Sequence, residues 1–215
     1  MTRYTPPDAP LAVLHRDAEL LLVDKPSGLL SVPGKPEAHR DCLEVRVKAA
    51  FPAALLIHRL DMETSGIMVF AMTRLAQRSI NRQFEKRIVR KTYVARVAGR
   101  VEAEEGRIAL PLIADWPNRP LQMVCHDTGK AAVTAWRVIA REDGATRLEL
   151  RPETGRSHQL RVHLREIGHP ILGDPFYAPE AVRAAAPRLQ LHAAALELRH
   201  PRDGGWAGWQ APCPF

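Results

Sequence analysis

The residues best suited to chemistry lie in a short polar loop between two apolar runs. Residues 55–57 and 67–71 are apolar and have the length of buried strands, and the loop between them carries His58, Arg59 and Asp61. A loop held at both ends by core strands keeps a side chain in place and leaves it accessible. Its carboxylate is therefore a candidate nucleophile or general base. On composition alone, an aspartate that only caps a turn explains the pattern equally well.

A second carboxylate, Glu63, lies two residues after Asp61. Glycosidases use two carboxyl groups roughly 5–10 Å apart, so the loop alone leaves a sugar-hydrolysing site open. Aromatic residues make up only 6% of the chain, which is few for a sugar-binding site. The composition therefore disfavours this alternative without excluding it.

The charge balance favours a polyanionic partner. The 215 residues include 31 Lys and Arg against 24 Asp and Glu, a formal net charge of +7. Nucleic acid is the first partner class that such an excess indicates, and an arginine-rich surface with no such partner is the alternative. The length suits one domain or two closely packed subdomains.

The sequence predicts neither a metal site nor a membrane segment. Cys42, Cys125 and Cys213 are far apart and form no Cys-x-x-Cys pair. His158 and His163 are five residues apart, a spacing that does not place two imidazoles on one helix face. No apolar run reaches membrane-spanning length, and residues 1–7 have no signal-peptide core. We therefore expect a cytoplasmic protein.

Two predicted helices carry cations. Residues 73–87 have Leu75, Ile80 and Phe84 along one side, and the remaining surface is basic: Arg74, Arg78, Arg82, Lys86 and Arg87. Such a surface either follows a nucleic-acid backbone or is simply solvated, and the pattern leaves both open.

The second predicted helix spans residues 158–167, with Ser157 as N-cap and Gly168 just after its end. An apolar stripe on this helix faces a core, and its other face is cationic: His158, Arg161 and Arg165. The strand predicted at 91–97 places Tyr93 with its apolar residues, where a tyrosine is ordinarily part of a core.

Several separate strings resemble the RluA-type pseudouridine synthases. HRLDMETSG at 58–66 is similar to the family signature HRLDxxTSG, and the other strings follow in the family's order: VDKPSGLLSVPG at 23–34, KTYVARV at 91–97, ETGRSHQLRVHL at 153–164 and GHPILGDPFYA at 168–178. The resemblance covers the chain from about residue 11 to its end. DWPNRP at 115–120 and the compact length resemble the family's dual-specificity members.

The resemblance implies an α+β fold, with a mixed, mainly antiparallel β-sheet flanked by helices and a central active-site cleft. It implies a single catalytic domain at 11–215, with no separate RNA-binding domain, and the three prolines of residues 1–10 predict an extended arm before it. The implied activity is that of an RNA pseudouridine synthase, an isomerase that requires no cofactor. The implied partner is RNA, in stem-loops of large-subunit ribosomal RNA and in the transfer-RNA anticodon loop, and the implied state is a monomer.

The resemblance also assigns the site residues. Asp61 is the family's essential carboxylate, Tyr93 stacks on the target base, and Arg161 pairs with Asp61. Arg59 and His58 are implied to contact RNA, with Arg59 occupying the space that the flipped uridine vacates. Replacing Arg161 is expected to reduce turnover strongly and to leave the fold mostly intact. The alternative function is an RNA-binding assembly factor or chaperone whose catalysis is dispensable.

Overall fold

The computed structural model describes residues 4–215. The chain forms two compact units, one of Met1–Lys91 with Ala193–Pro214 and the other of Thr92–His192 with Phe215. They are called here the first and second units. No helix among the described residues is long and apolar enough to cross a membrane.

The first unit is built on an antiparallel sheet. Its helices and strands are β1 (Ala12–Arg16), β2 (Leu20–Lys25), α1 (Leu43–Ala50), β3 (Leu55–Leu56), β4 (Ser65–Ala71), α2 (Arg74–Glu85), most of β11 (Leu191–Arg199) and β12 (Trp206–Gln210). β2 pairs with β1 and β4, β3 also pairs with β4, and β12 pairs with β11, all antiparallel. β4 is buried at every position, which explains why its sequence is a continuous apolar run.

The second unit has its own antiparallel sheet, with strand order β5-β10-β9-β6, and a separate β7-β8 pair. Its elements are most of β5 (Arg90–Ala98), β6 (Glu105–Ala109), β7 (Leu112–Ala114), β8 (Gln122–Val124), β9 (Val133–Glu142), β10 (Ala145–Pro152), α3 (Gln159–Glu166) and α4 (Glu180–Ala184). One core joins the sheet to α3 through Leu148, Leu150, Leu160 and Leu164. The predicted apolar stripe of α3 is thus confirmed.

The expected fold class is confirmed, because strands predominate and most ladders are antiparallel: β1-β2, β2-β4, β3-β4 and β11-β12 in the first unit, and β5-β10, β9-β10, β6-β9 and β7-β8 in the second. Residues 4–11 of the chain have no regular secondary structure and are fastened to the first unit. The Tyr4 hydroxyl donates to the Asp41 carbonyl at 2.9 Å, and Arg46 donates to the carbonyls of Pro7 and Ala9 at 3.0 and 3.1 Å. Residues 1–3 of the predicted arm lie outside the described residues.

Two local predictions about the helices are wrong. Ser157 does not cap α3, because His158 occupies the N-cap with a left-handed φ of 52° and no side chain caps there. The Gln159 Oε1 instead accepts from the Arg156 amide at 3.0 Å. On α2, Leu75 is 76% exposed, whereas the buried face carries Ala76, Ile80 and Gln83. Gly168 does end α3 as predicted, with φ +83°.

Candidate active site

Asp61 lies in the loop of residues 57–64, between β3 and β4 in the first unit. The residue is half-buried, and the neighbouring Leu60 side chain is buried. The Asp61 carbonyl accepts from the Thr64 amide at 3.2 Å, which closes a turn immediately after the carboxylate. The buried strand β4 then fixes the far end of the loop, as the sequence predicted.

Lys25 hydrogen-bonds to this loop, although in the sequence it resembles a solvated turn lysine. Its side chain is completely buried, and Nζ donates to the carbonyls of Pro26, Leu29 and Met62 at 2.9, 2.6 and 2.9 Å. A buried ammonium group is tolerated only where such acceptors replace its hydration. Because Met62 follows Asp61 directly, Lys25 fixes the backbone at the carboxylate.

Two serines of the same segment fix the loop on either side of Asp61. The Ser31 hydroxyl donates to the Leu60 carbonyl at 2.6 Å and accepts from the Leu60 amide at 3.1 Å. Ser27 Oγ donates to the Glu63 carbonyl at 2.6 Å. Residues 25–31 are therefore a cradle for the loop. Sequence reasoning left them out of the site, although they lie in the VDKPSGLLSVPG string that signals the family.

Gly66 is required where the loop enters β4. Its φ is +115°, and a Cβ there would lie 2.3 Å from the backbone oxygen of Ala193 on β11. Any larger residue would push β4 away from β11 and displace the loop that ends at this point.

His58, for which an RNA contact stays a prediction, also has partners inside the first unit. Its Nε2 accepts from the Val69 amide at 3.2 Å, and its ring stacks on Phe84 with centroids 5.1 Å apart. Burial, together with the nearby charge of Lys91, lowers the pKa of His58 to about 4. The imidazole is therefore neutral at pH 7 and offers RNA no positive charge.

Arg59 is exposed, as an RNA-contacting residue should be. Across residues 4–215, its side chain makes no hydrogen bond or ion pair, and so none to Asp61. The alternative in which Arg59 is simply the salt-bridge partner of Asp61 is not supported by this geometry.

In the second unit, Tyr93 lies on β5 opposite Leu150 of β10 and packs against the unit's core while staying half-buried. Arg161 lies on α3 and is 1% exposed. The resemblance assigns Tyr93 to stack on the target base and Arg161 to pair with Asp61, and each of the two lies on a regular element, β5 or α3.

Arg161 forms a buried ion pair with Asp174. Its Nε and NH2 atoms donate to the two carboxylate oxygens at 2.8 and 2.6 Å. Oδ1 of Asp174 also accepts from the amides of Phe176 and Tyr177 at 2.9 and 3.2 Å, and the guanidinium lies 5.1 Å from each of their rings. These added hydrogen bonds offset the cost of burying two charges. Sequence reasoning missed Asp174, although it lies in the GHPILGDPFYA string. The pairing of Arg161 with Asp61 stays a prediction.

Other polar side chains of α3 are also committed to structure. His158 Nδ1 lies 2.6 Å from the Tyr177 hydroxyl, which accepts from the Gln122 amide at 2.9 Å. His163 is buried between Thr134 Oγ1 at 2.9 Å and the Leu110 carbonyl at 3.1 Å, and burial lowers its pKa. The described part of the chain contains no group of three His, Cys, Asp or Glu residues that could hold a metal ion.

A separate polar cluster fastens β1 in the first unit. Asp17 accepts from the His15 and His200 rings at 2.8 and 3.1 Å and from the amides of Glu19 and Leu20 at 2.7 Å each. Burial raises the pKa of Asp17, but these hydrogen bonds outweigh it and hold the pKa well below its ordinary value. The cluster is a structural one, remote in sequence from the loop that carries Asp61.

Comparison with known proteins gives consistent results. The model of the family described as RNA pseudouridylate synthase matches residues 19–166. The dual-specificity RNA pseudouridine synthase RluA of Escherichia coli strain K12 is 51% identical over 217 residues, covering 100% of this chain and 99% of the relative. The protein of the same name in Vibrio vulnificus strain CMCP6 is 48% identical, covering 100% of this chain and 88% of the relative.

Solved structures agree with the relatives. The human RNA pseudouridylate synthase domain containing 1 is similar with a TM-score of 0.81 and 27% identity, over 98% of this chain and 87% of that one. The human RNA pseudouridylate synthase domain containing 4 has a TM-score of 0.76 and 26% identity, over 94% of this chain and 88% of that one. The similarity in sequence and in fold thus extends over nearly the whole chain.

Proposed function

The chain belongs to the RNA pseudouridylate synthase family, and on that premise we propose that it isomerises uridines in stem-loops of large-subunit ribosomal RNA and in the transfer-RNA anticodon loop. As a member of this family it is an RNA pseudouridine synthase, an isomerase. Its relatives are named dual-specificity enzymes, which supports two substrate RNAs. The net charge of +7 supports a polyanionic substrate.

Asp61 is the proposed catalytic carboxylate. The reaction breaks the bond from ribose C1′ to uracil N1, rotates the base and rejoins it through C5, so it needs neither redox chemistry nor an energy source. The carboxylate attacks C1′, attacks C6 or removes the C2′ proton, and all three routes require it ionised and well aimed. The observation that carries the assignment is the cradle, because residues 25–31 fix the backbone on both sides of Asp61.

Tyr93 and Arg161 are proposed to complete the site. A planar tyrosine suits a flipped base, because stacking on it replaces the stack that the base has left. A guanidinium has five N–H donors, so a pair with Asp174 is compatible with a second carboxylate partner. Arg161 beside Asp61 would favour the ionised carboxylate.

Arg59 is proposed to fill the gap left by the flipped uridine, with its guanidinium stacked on neighbouring bases. Because the side chain is exposed and unpaired within residues 4–215, we expect Arg59→Ala to weaken RNA binding and turnover with less than about 0.5 kcal/mol change in unfolding free energy. RNA titrations and urea denaturation measure the two. Unchanged RNA affinity would refute this role.

The decisive experiment is release of tritium from RNA labelled at uridine C5, since forming the new C5 bond expels that hydrogen. Native protein should release tritium from both ribosomal and transfer-RNA stem-loops. Asp61→Asn should abolish release while binding RNA, and Glu63→Gln, which removes the other carboxylate of the loop, should retain it. Tight RNA binding by the native protein without release from any RNA would instead favour an assembly factor.

We further propose that the protein acts as a monomer in the cytoplasm. Analytical ultracentrifugation with and without a stem-loop RNA tests the first part, and a stable dimer in both conditions would contradict it. Fractionation of cells that produce the protein tests the second.

A further inference from the structure

A basic pocket lies beside α2 in the first unit, and none of its lining residues belongs to the loop that carries Asp61. Its volume is about 440 Å³, and it is lined by cations of α2 and of the end of β11, with Gln83 and Ile88: Arg78, Arg82, Lys86 and Arg199. We call it the α2 pocket. None of its described lining residues is acidic.

The cations that α2 contributes to the pocket have no acidic partner among residues 4–215. Across residues 4–215, Arg78, Arg82 and Lys86 are exposed and make no side-chain hydrogen bond or ion pair. Arginines of the second unit show the contrast, since Arg137 and Arg151 both pair with Glu149 at 2.8 Å. A positive field that no acidic neighbour cancels attracts an anionic partner.

The helix dipole does not account for this arrangement. Cations in the last turn of a helix are favoured by the carbonyl ends, and that suffices for Arg82 and Lys86. Arg78 lies in the middle of α2, and Arg199 belongs to β11. The stability of α2 therefore does not explain why Arg78 and Arg199 lie in the same cluster.

The spacing suits a chain of phosphates. Arg78, Arg82 and Lys86 lie four residues apart, so they form a row on one face with axial steps of about 6 Å. Such a row follows successive phosphates along one strand, whereas a single small anion is normally held by donors that converge on one point.

The wall of the pocket is rigid. The Gln83 side chain is buried, donates to the Arg199 carbonyl at 2.8 Å and accepts from the Arg199 amide at 2.8 Å. This pair docks α2 onto β11. The guanidinium of Arg199 also lies over the Trp206 ring at 4.4 Å, which restrains it. The backbone positions that carry the cations of the pocket are thus fixed relative to one another.

We propose that the α2 pocket binds the phosphate backbone of substrate RNA outside the loop that contains the target uridine. This rests on the proposed function, because RNA is the partner it requires. The pocket then lengthens the contact with RNA beyond the modified loop and favours a stem-loop in its larger context over an isolated one.

The test compares two variants on two RNAs. Arg78→Gln/Arg82→Gln removes two pocket charges and keeps good helix formers. Arg137→Gln/Arg151→Gln removes the same net charge from a surface that Glu149 neutralises. The RNAs are a minimal stem-loop and the same stem-loop within a longer natural flank. Dissociation constants are measured from 50 to 200 mM salt, beside tritium release at saturating RNA.

For the longer RNA, the pocket variant should flatten the plot of log affinity against log salt by about 1.4–1.8, since each phosphate contact contributes about 0.7–0.9. The minimal stem-loop and the control variant should show little change, and saturated turnover should stay at the native rate. Equal losses for both variants, or for both RNAs, would overturn the proposal. If millimolar inorganic phosphate abolishes the difference in RNA affinity between the native protein and the pocket variant, the α2 pocket is a site for a small anion instead. Absence of tritium release from the native protein would refute the proposed function. The dissociation constants test the α2 pocket independently of that result.

Discussion

Lys25→Met tests whether the cradle positions Asp61. The substitution keeps the length of the side chain and removes the ammonium group that donates three hydrogen bonds of 2.6–2.9 Å inside the first unit. Hydrogen bonds to charged groups contribute roughly 1.5–3 kcal/mol each. The desolvation of a buried ammonium, several kcal/mol, offsets part of the sum. We expect a net loss in unfolding free energy on the order of 3 kcal/mol.

The functional consequence is separable from the loss of stability. Because Met62 is adjacent to Asp61, a released Met62 carbonyl should loosen the aim of the carboxylate and lower kcat more than it raises KM. Urea denaturation and tritium release under conditions where the variant is folded measure the two effects. Lys48→Met is the matched control, since Lys48 is half-exposed and its one partner among residues 4–215 is Glu44 on α1. It should cost less than about 0.5 kcal/mol and leave kcat unchanged.

Two outcomes would refute the reasoning. Native stability in Lys25→Met would show that the three carbonyls find other donors, and lowered stability with native kcat would show that the cradle does not aim Asp61. If Lys25→Met fails to fold, Ser27→Ala replaces it. That variant removes the one hydrogen bond to the Glu63 carbonyl, with an expected cost of about 1 kcal/mol, and should still lower kcat.

Three further predictions follow from polar groups that are buried or partly buried. Arg161→Ala leaves Asp174 buried without its cation, so it should cost about 3–5 kcal/mol in unfolding free energy by urea denaturation, whereas the sequence predicted a mostly intact fold; native stability would contradict this. Asp17→Asn should destabilise the protein at pH 7, and the difference from native should shrink as the pH falls below about 3.8, because a lowered carboxyl pKa contributes stability above the unfolded pKa and loses it in acid; a difference that is constant from pH 7 to 3 would contradict it. The His58 ring, followed by NMR, should stay neutral from pH 8 down to about 5 and titrate near pH 4, and titration near pH 6.5 would show that it is solvated.

The elements that the sequence predicted well are those fixed by local patterns. The apolar run of β4 and the apolar stripe of α3 both follow from residues close together in the chain. Gly168 ended α3 as expected, because a glycine after a helix adopts the left-handed conformation that other residues resist.

The residues that the sequence misjudged are those whose partners are distant in the chain. Lys25 resembles an exposed turn lysine until Met62, 37 residues away, is seen to accept its hydrogen bond. Asp174 has the setting of a turn acid, and only the fold brings it to Arg161, 13 residues earlier. At the start of α3, Ser157 had the preferred residue type for a cap, but His158 occupies the N-cap position in a left-handed conformation and no side chain caps the helix.

The rigidity of the loop that carries Asp61 comes from residues outside that loop. The HRLD string locates Asp61 and Arg59, but it gives no reason why a carboxylate there should be rigid. That reason lies in Lys25, Ser27 and Ser31, whose side chains hydrogen-bond to the backbone carbonyls of Met62, Glu63 and Leu60, respectively. Backbone carbonyls are present at every residue, so such contacts leave no trace in the loop's own sequence. The residues that make the loop rigid are those of the cradle, because Lys25, Ser27 and Ser31 supply the hydrogen-bond donors that the loop carbonyls accept.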